Sequence, residues 1–161
     1  MFKHKKESYL KVIFSLSFIS VVSAYYIEYV LGHQPCNLCL IERIPYILSL
    51  IIIIINFKFS KYEKFLIIIL IILFSFSFLI SLYHFGIEKG FVEESLFCNL
   101  KNSTDILTKE QLLIELQKKM VSCKDVTFRI FGFSLTGINI VLSLILTILS
   151  IQTLILYEKI K

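Results

Sequence analysis

Hydrophobic residues in this chain fall into four long runs, with the polar residues gathered between them and at the two ends. The runs cover approximately 12–31, 40–57, 65–85 and 130–157. Each is long enough to cross a bilayer as a helix, which takes roughly 17–25 residues. The isoleucines at 51–55 favour strand in water, but hydrocarbon requires every backbone polar group to be paired within the segment itself. The pattern therefore predicts an all-α membrane protein, a four-transmembrane-helix bundle forming one domain over 1–161. A cleaved signal peptide is the alternative for the first run. Its apolar core would be only about 7–15 residues, and Val22-Ser23-Ala24 is a weak cleavage-like match, so a retained helix is expected.

The interval 86–129 is too hydrophilic to cross and too long for a simple connection, and loops of that length usually carry function. Thr108 followed by Gln111 is a capping-box pattern. After it, Ile106, Leu112, Leu113, Leu116 and Met120 recur at helical spacing and predict a short amphipathic helix. That helix can lie flat on the membrane surface or pack against its own bundle.

Lysine placement sets the expected orientation. Lys3, Lys5, Lys6 and Lys11 precede or open the first run, Lys58, Lys61 and Lys64 join the second to the third, and Lys159 and Lys161 close the chain. The connection 32–39 has no lysine or arginine, and the long loop balances its basic residues with acidic ones. By the positive-inside bias both termini are expected in the cytoplasm and both remaining loops outside. Tyr25, Tyr26 and Tyr29 then fit an interfacial aromatic belt at the outer end of the first helix. Composition agrees: the chain is 57% hydrophobic and 18% charged, against about 25% charged in ordinary domains. The net charge of +5 has this topological origin. It forms no continuous basic face interleaved with stacking aromatics, so nucleic acid is not an expected partner.

All four cysteines fall on the outer side of this arrangement. Cys36 and Cys39 form a Cys-x-x-Cys at the mouth of the second run, and Cys98 and Cys123 lie in the long loop. Pro35 marks the break before the second helix. Cys39 then falls at the first helical turn with Arg43 four residues on, and a helix start beside a guanidinium lowers a thiol pKa. On this reading Cys39, rather than Cys36, carries the persistent thiolate. Three alternatives stay open from the residues alone. The pair can be a plain stabilising disulfide. With Cys98, Cys123, His33 or His84 it can supply four metal ligands, although an oxidising compartment disfavours persistent free thiolates and no metal is expected. Arg43 can simply snorkel to the interface, paired with Glu42. His84 sits at the outer end of the third run, where it can bond an oxygen of a bound molecule or be a satisfied interfacial histidine. Gly132, Thr136 and Gly137 allow close helix packing, and Asn139 can join two helices by hydrogen bonding.

The ordered set Pro35-Cys36-Asn37-Leu38-Cys39 with Glu42-Arg43, then Tyr83-His84-Phe85-Gly86-Ile87-Glu88-Lys89-Gly90, then Phe128-Arg129-Ile130-Phe131-Gly132-Phe133-Ser134 after Cys123, resembles the DsbB family of inner-membrane, quinone-reducing thiol oxidases. The resemblance covers nearly the whole chain. It implies that Cys98 and Cys123 form a disulfide that oxidises a soluble periplasmic thioredoxin-like, DsbA-like dithiol protein, whose thiolate attacks Cys98. Cys123 would then pair with Cys36 and free Cys39, which would donate to a membrane quinone, ubiquinone or menaquinone, with Arg43 and His84 as quinone-binding residues. Vitamin K epoxide reductases run a similar apparatus towards reduction, but they place their loop cysteines before the Cys-x-x-Cys, the reverse of the order here. A four-helix scaffold stapled by two static disulfides is the non-enzymatic alternative.

Overall fold

The computed structural model describes residues 2–58, 62–93, 122–124, 129–130 and 132–160. Four long helices account for most of them: α1 (Phe2–Tyr29), α2 (Asn37–Lys58), α3 (Glu63–Glu88) and α4 (Leu135–Ile160). All four are long and apolar enough to cross a membrane. Each helix packs against its sequence neighbours, and α1 also packs against α4, closing an up-and-down bundle. The end of α1, the start of α2, the end of α3 and the start of α4 consequently share one end of the molecule. The expected amphipathic helix at 106–120 lies outside the described residues, as does Cys98.

Burial inverts the pattern of a soluble protein. Large side chains such as Ile54, Phe65, Ile72, Leu79 and Val141 are exposed on the outside, as a lipid-facing surface requires. Polar residues instead recur every three or four positions on the inner faces: Glu42, Tyr46, Ser49 and Asn56 on α2, then Ser77, Ser81 and His84 on α3. On α4 the inward series is Thr136, Ser143, Ser150 and Thr153. Several satisfy themselves along their own helix, as Ser81 Oγ does by donating to the Ser77 carbonyl at 2.8 Å. Leu10, Ile13, Tyr46, Ile53, Leu70, Phe74 and Leu146 fill the middle of the bundle.

The helix boundaries depart from the hydrophobic runs for local reasons. Helix α1 begins ten residues before the run at 12, because Lys6 is buried in an ion pair with Glu63 and so extends the helix beyond the apolar stretch. Helix α3 continues past Phe85 to Glu88 and ends in a Schellman motif. There the Gly90 N–H donates to the Ile87 carbonyl at 3.0 Å and the Phe91 N–H to the Gly86 carbonyl at 2.9 Å, with Gly90 at φ +76°. Helix α4 starts at Leu135 rather than 130. Residues Arg129–Ile130 and Phe133–Ser134, here β1 and β2, pair antiparallel instead, around Gly132 at φ +85°. Ser134 then caps α4, its Oγ accepting the Gly137 N–H at 3.2 Å.

Candidate redox site

Cys36 precedes α2 and caps it. Its carbonyl accepts the Leu40 N–H at 3.3 Å, the first bond of the helix, and its Sγ accepts the Cys39 N–H at 3.3 Å. A sulfur in the place of an N-capping oxygen faces the positive end of the helix. Cys36 and Cys39 are both free thiols, with their Sγ atoms 2.8 Å apart. Cys123 is disulfide-bonded. It is buried in one cluster with Cys36, Leu38 and Ile87, against which Cys39 and Ile41 also pack.

From α3, His84 brings Nε2 to 3.5 Å from Cys36 Sγ. Its Nδ1 is 3.0 Å from Oε1 of Glu42, a carboxyl group that is only 7% exposed. The other oxygen, Glu42 Oε2, accepts Nδ2 of Asn139 from α4 at 2.9 Å. That same amide nitrogen is 2.7 Å from Ser81 Oγ, and Asn139 Oδ1 accepts the Tyr46 hydroxyl. One buried polar chain thus runs from Cys36 through His84 and Glu42 to Asn139, Tyr46 and Ser81, tying α2, α3 and α4 together.

Arg43 points the other way. Its guanidinium donates to Glu28 of α1 and to the Ala24 carbonyl at 3.5 Å, and lies 5.1 Å from the centre of the Tyr25 ring. The sequence-based pairing of Arg43 with Glu42 is therefore replaced by two separate pairs, Arg43–Glu28 and His84–Glu42. The placement of the thiolate changes with them. Donors converge on Cys36 rather than Cys39. Hydrogen bonding with the Cys39 thiol and with the His84 ring holds the Cys36 thiol at about 5, against the opposing effect of burial. Alkylation of Cys36 in the reduced protein should accordingly stay fast as the pH falls from 9.0 and decline only as it passes about 5. An ordinary thiol would slow about tenfold for each unit below its pKa, and that profile would rule out the assignment.

A cavity of about 350 Å³ opens between α1, α2 and α4; Cys39 lines it and Cys36 does not. Leu16, Ile19, Ala24, Ile27, Ile138 and Leu142 give it apolar walls, while Cys39, Glu42, Arg43, Tyr46 and Asn139 supply a polar rim. The volume falls within the range of about 300–1,000 Å³ typical of small-molecule sites. A flat, mostly apolar molecule with carbonyl oxygens fits this donor set, and a quinone has that chemistry.

All described residues singled out from the sequence meet at this end of the bundle, although His84 reaches the cysteines rather than the cavity. Cys36, Cys39 and His84 also place their ligand atoms within 4.8 Å of one another, a donor set a metal ion could use. Cys123, being disulfide-bonded, is not available to it as a thiolate in this state. Sequence reasoning left Glu42 as a structural partner and gave Asn139 no chemistry. The signal that marks them is the inward-facing series of polar residues, which needs the rotation of each helix to become visible.

The family model described as disulfide bond formation protein DsbB matches residues 6–153. An uncharacterised protein of Rickettsia prowazekii (strain Madrid E), RP370, is 30% identical over 143 residues, covering 85% of this chain and 81% of the relative. No solved structure gives a significant match. The chain is a membrane-embedded member of the DsbB family, whose chemistry is the oxidoreduction of disulfide bonds.

Proposed function

We propose that the protein is a quinone-dependent thiol oxidase of a bacterial inner membrane, which renews the disulfide of a soluble periplasmic thioredoxin-like partner. The observation that carries this reading is the position of the Cys36–Cys39 pair in a wall. On one side Cys36 shares a buried cluster with the disulfide-bonded Cys123; on the other, Cys39 lines an apolar cavity with a polar rim. Membership of the DsbB family supports Cys98, which lies outside the described residues, as the partner of Cys123.

Exchange requires a thiolate to attack a disulfide sulfur, so each pair must meet the next. The partner's thiolate attacks Cys98, and completion of that exchange releases the partner oxidised and leaves Cys98 and Cys123 as thiols. Cys123 attacks Cys36 of the inner disulfide and frees Cys39. Cys98 then reclaims Cys123, leaving Cys36 and Cys39 as the dithiol. A bound quinone supplies a two-electron acceptor. Arg43, held by Glu28, presents a fixed positive charge at the cavity rim to orient a carbonyl oxygen, and the apolar walls keep water from Cys39. With both termini cytoplasmic, the cysteine-bearing loops face the periplasm and its soluble partner.

The test is anaerobic stopped-flow mixing of the purified protein with reduced partner and either ubiquinone or menaquinone. Rapid quinone reduction with stoichiometric oxidation of the partner is expected; partner disulfides reduced at the expense of quinol would reverse the direction and overturn the reading. Arg43→Ala should raise the quinone KM by about tenfold, the equivalent of one hydrogen bond to a charged group. The rate of partner exchange should not change. A uniform loss of folded protein instead would make Arg43 an interfacial anchor.

A further inference from the structure

We propose that Glu42, acting with His84, is the proton carrier that links Cys36 to the cavity. This rests on the quinone-oxidase reading and adds to it a route for protons. Oxidation of the dithiol forms the Cys36–Cys39 bond, gives two electrons to the quinone and frees two protons, one from the Cys39 thiol and one shared by Cys36 and His84, which the two quinone oxygens take up to make the quinol. Cys39 lines the cavity and can release its proton there directly. Cys36 and His84 do not line it. The second proton therefore needs a carrier.

Glu42 is the group that belongs to both places. It lines the cavity and is bonded through Oε1 to His84 Nδ1 at 3.0 Å, while His84 Nε2 faces Cys36 Sγ at 3.5 Å. The proton shared by Cys36 Sγ and His84 Nε2 stays on Nε2 as the Cys36–Cys39 bond forms, while Nδ1 passes its own to Glu42 Oε1, and Glu42 releases it at the cavity wall. Each bond made matches one broken: Glu42 returns to carboxylate, and His84 is left neutral with its proton on Nε2, to take up another at Nδ1 when the next dithiol delivers its protons. Burial gives the arrangement its purpose, because bulk water cannot collect the proton from a thiol that is 5% exposed beside a histidine that is 3% exposed. Asn139 is a positioning residue: its amide nitrogen holds Glu42 Oε2 at 2.9 Å and is itself fixed by Ser81. Neither the Cys-x-x-Cys nor the Arg43–Glu28 pair requires a carboxyl group at position 42, so the role is separable from both.

The experiment compares wild type, Glu42→Gln and Glu42→Asp as full-length protein in detergent. Redox-difference infrared spectra of quinone-free protein, poised with the inner pair as disulfide and then as dithiol, should show a carboxyl C=O band that shifts in heavy water, because with no quinone to take it the proton stays on Glu42. The band should vanish in Glu42→Gln and return, displaced, in Glu42→Asp. Single-turnover oxidation of the dithiol by added ubiquinone should slow by about a hundredfold in Glu42→Gln, within the range for loss of a general acid–base group. The quinone KM should stay within about twofold, because this is an interaction used in the reaction rather than in binding. Glu42→Asp should recover part of the rate. Exchange between the partner and Cys98 should be unaffected in both variants. A band that persists in Glu42→Gln, or full-rate quinone reduction by that variant, overturns the carrier. If Glu42→Gln does not fold, Glu42→Asp decides: a redox band left at its wild-type position removes the assignment. Wild-type protein that reduces no quinone sinks the oxidase reading instead, while the infrared result still tests whether Glu42 exchanges a proton with the dithiol.

Discussion

Replacing Cys39 with alanine should end catalytic turnover while leaving one stoichiometric oxidation of the partner intact. The disulfide of Cys123 does not include Cys39 and can still accept the electrons of a single partner dithiol. Its renewal cannot follow, because the Cys36–Cys39 disulfide cannot form and no thiol at the cavity wall would deliver electrons. Mixing reduced partner with Cys39→Ala and excess quinone should therefore give a burst equal to the protein concentration, followed by no further change. Mass spectrometry of the product should find Cys98 and Cys123 reduced and Cys36 unpaired. Continued turnover would show that electrons reach the acceptor without the inner pair, and the relay would be wrong. No burst at all would place the partner's point of attack elsewhere than Cys98.

The largest stability effect is expected at Asn139. Its amide bonds Glu42, Ser81 and Tyr46, so Asn139→Leu strands polar groups on two other helices at once. Hydrogen bonds between membrane helices average about 0.6 kcal/mol and reach about 1.7. Leaving a buried polar group without a partner costs about 1–3 kcal/mol in proteins generally. Three such bonds, one to a buried carboxyl group, point to a loss of about 2–4 kcal/mol. The shift in the unfolding midpoint on titrating folded protein in mixed micelles measures it. Substitution of lipid-facing Ile148, which is 46% exposed, should cost less than about 0.5 kcal/mol in the same assay. Equal effects at the two positions would mean that Asn139 joins no helices.

Much of this fold could be read from hydropathy, because a bilayer fixes both the length of a crossing and the need to close its hydrogen bonds internally. The failures lie where polar contacts outrank hydropathy. Lys6 ends the apolar run yet remains inside α1, since its charge is met by Glu63 of another helix. Residues 130–134 look like helix from composition, but Gly132 turns the chain and Ser134 provides a cap one turn later. Cys36, Cys39 and His84 were singled out from order and spacing, and the structure brings their side chains together. The partners of Glu42 and Arg43 were not. Adjacent helical residues point roughly 100° apart, so neighbours in sequence serve different helices, and Glu42 faces α3 and α4 while Arg43 faces α1. The thiolate moved from Cys39 to Cys36 for the same reason: its stabilising donors are Cys39 itself and a histidine 48 positions away.

The donor pair, the carboxyl group and the cavity all share one end of the bundle. In the proposed reaction, electrons and protons therefore travel sideways, at nearly constant depth, and leave together on a neutral carrier. An elementary charge carried across the bilayer exchanges about 2.3 kcal/mol with each 100 mV of transmembrane voltage. Here no charge makes that crossing. On the proposed reaction disulfide renewal is electrically silent, driven by the redox gap alone, and its rate should be unchanged when the membrane potential is collapsed.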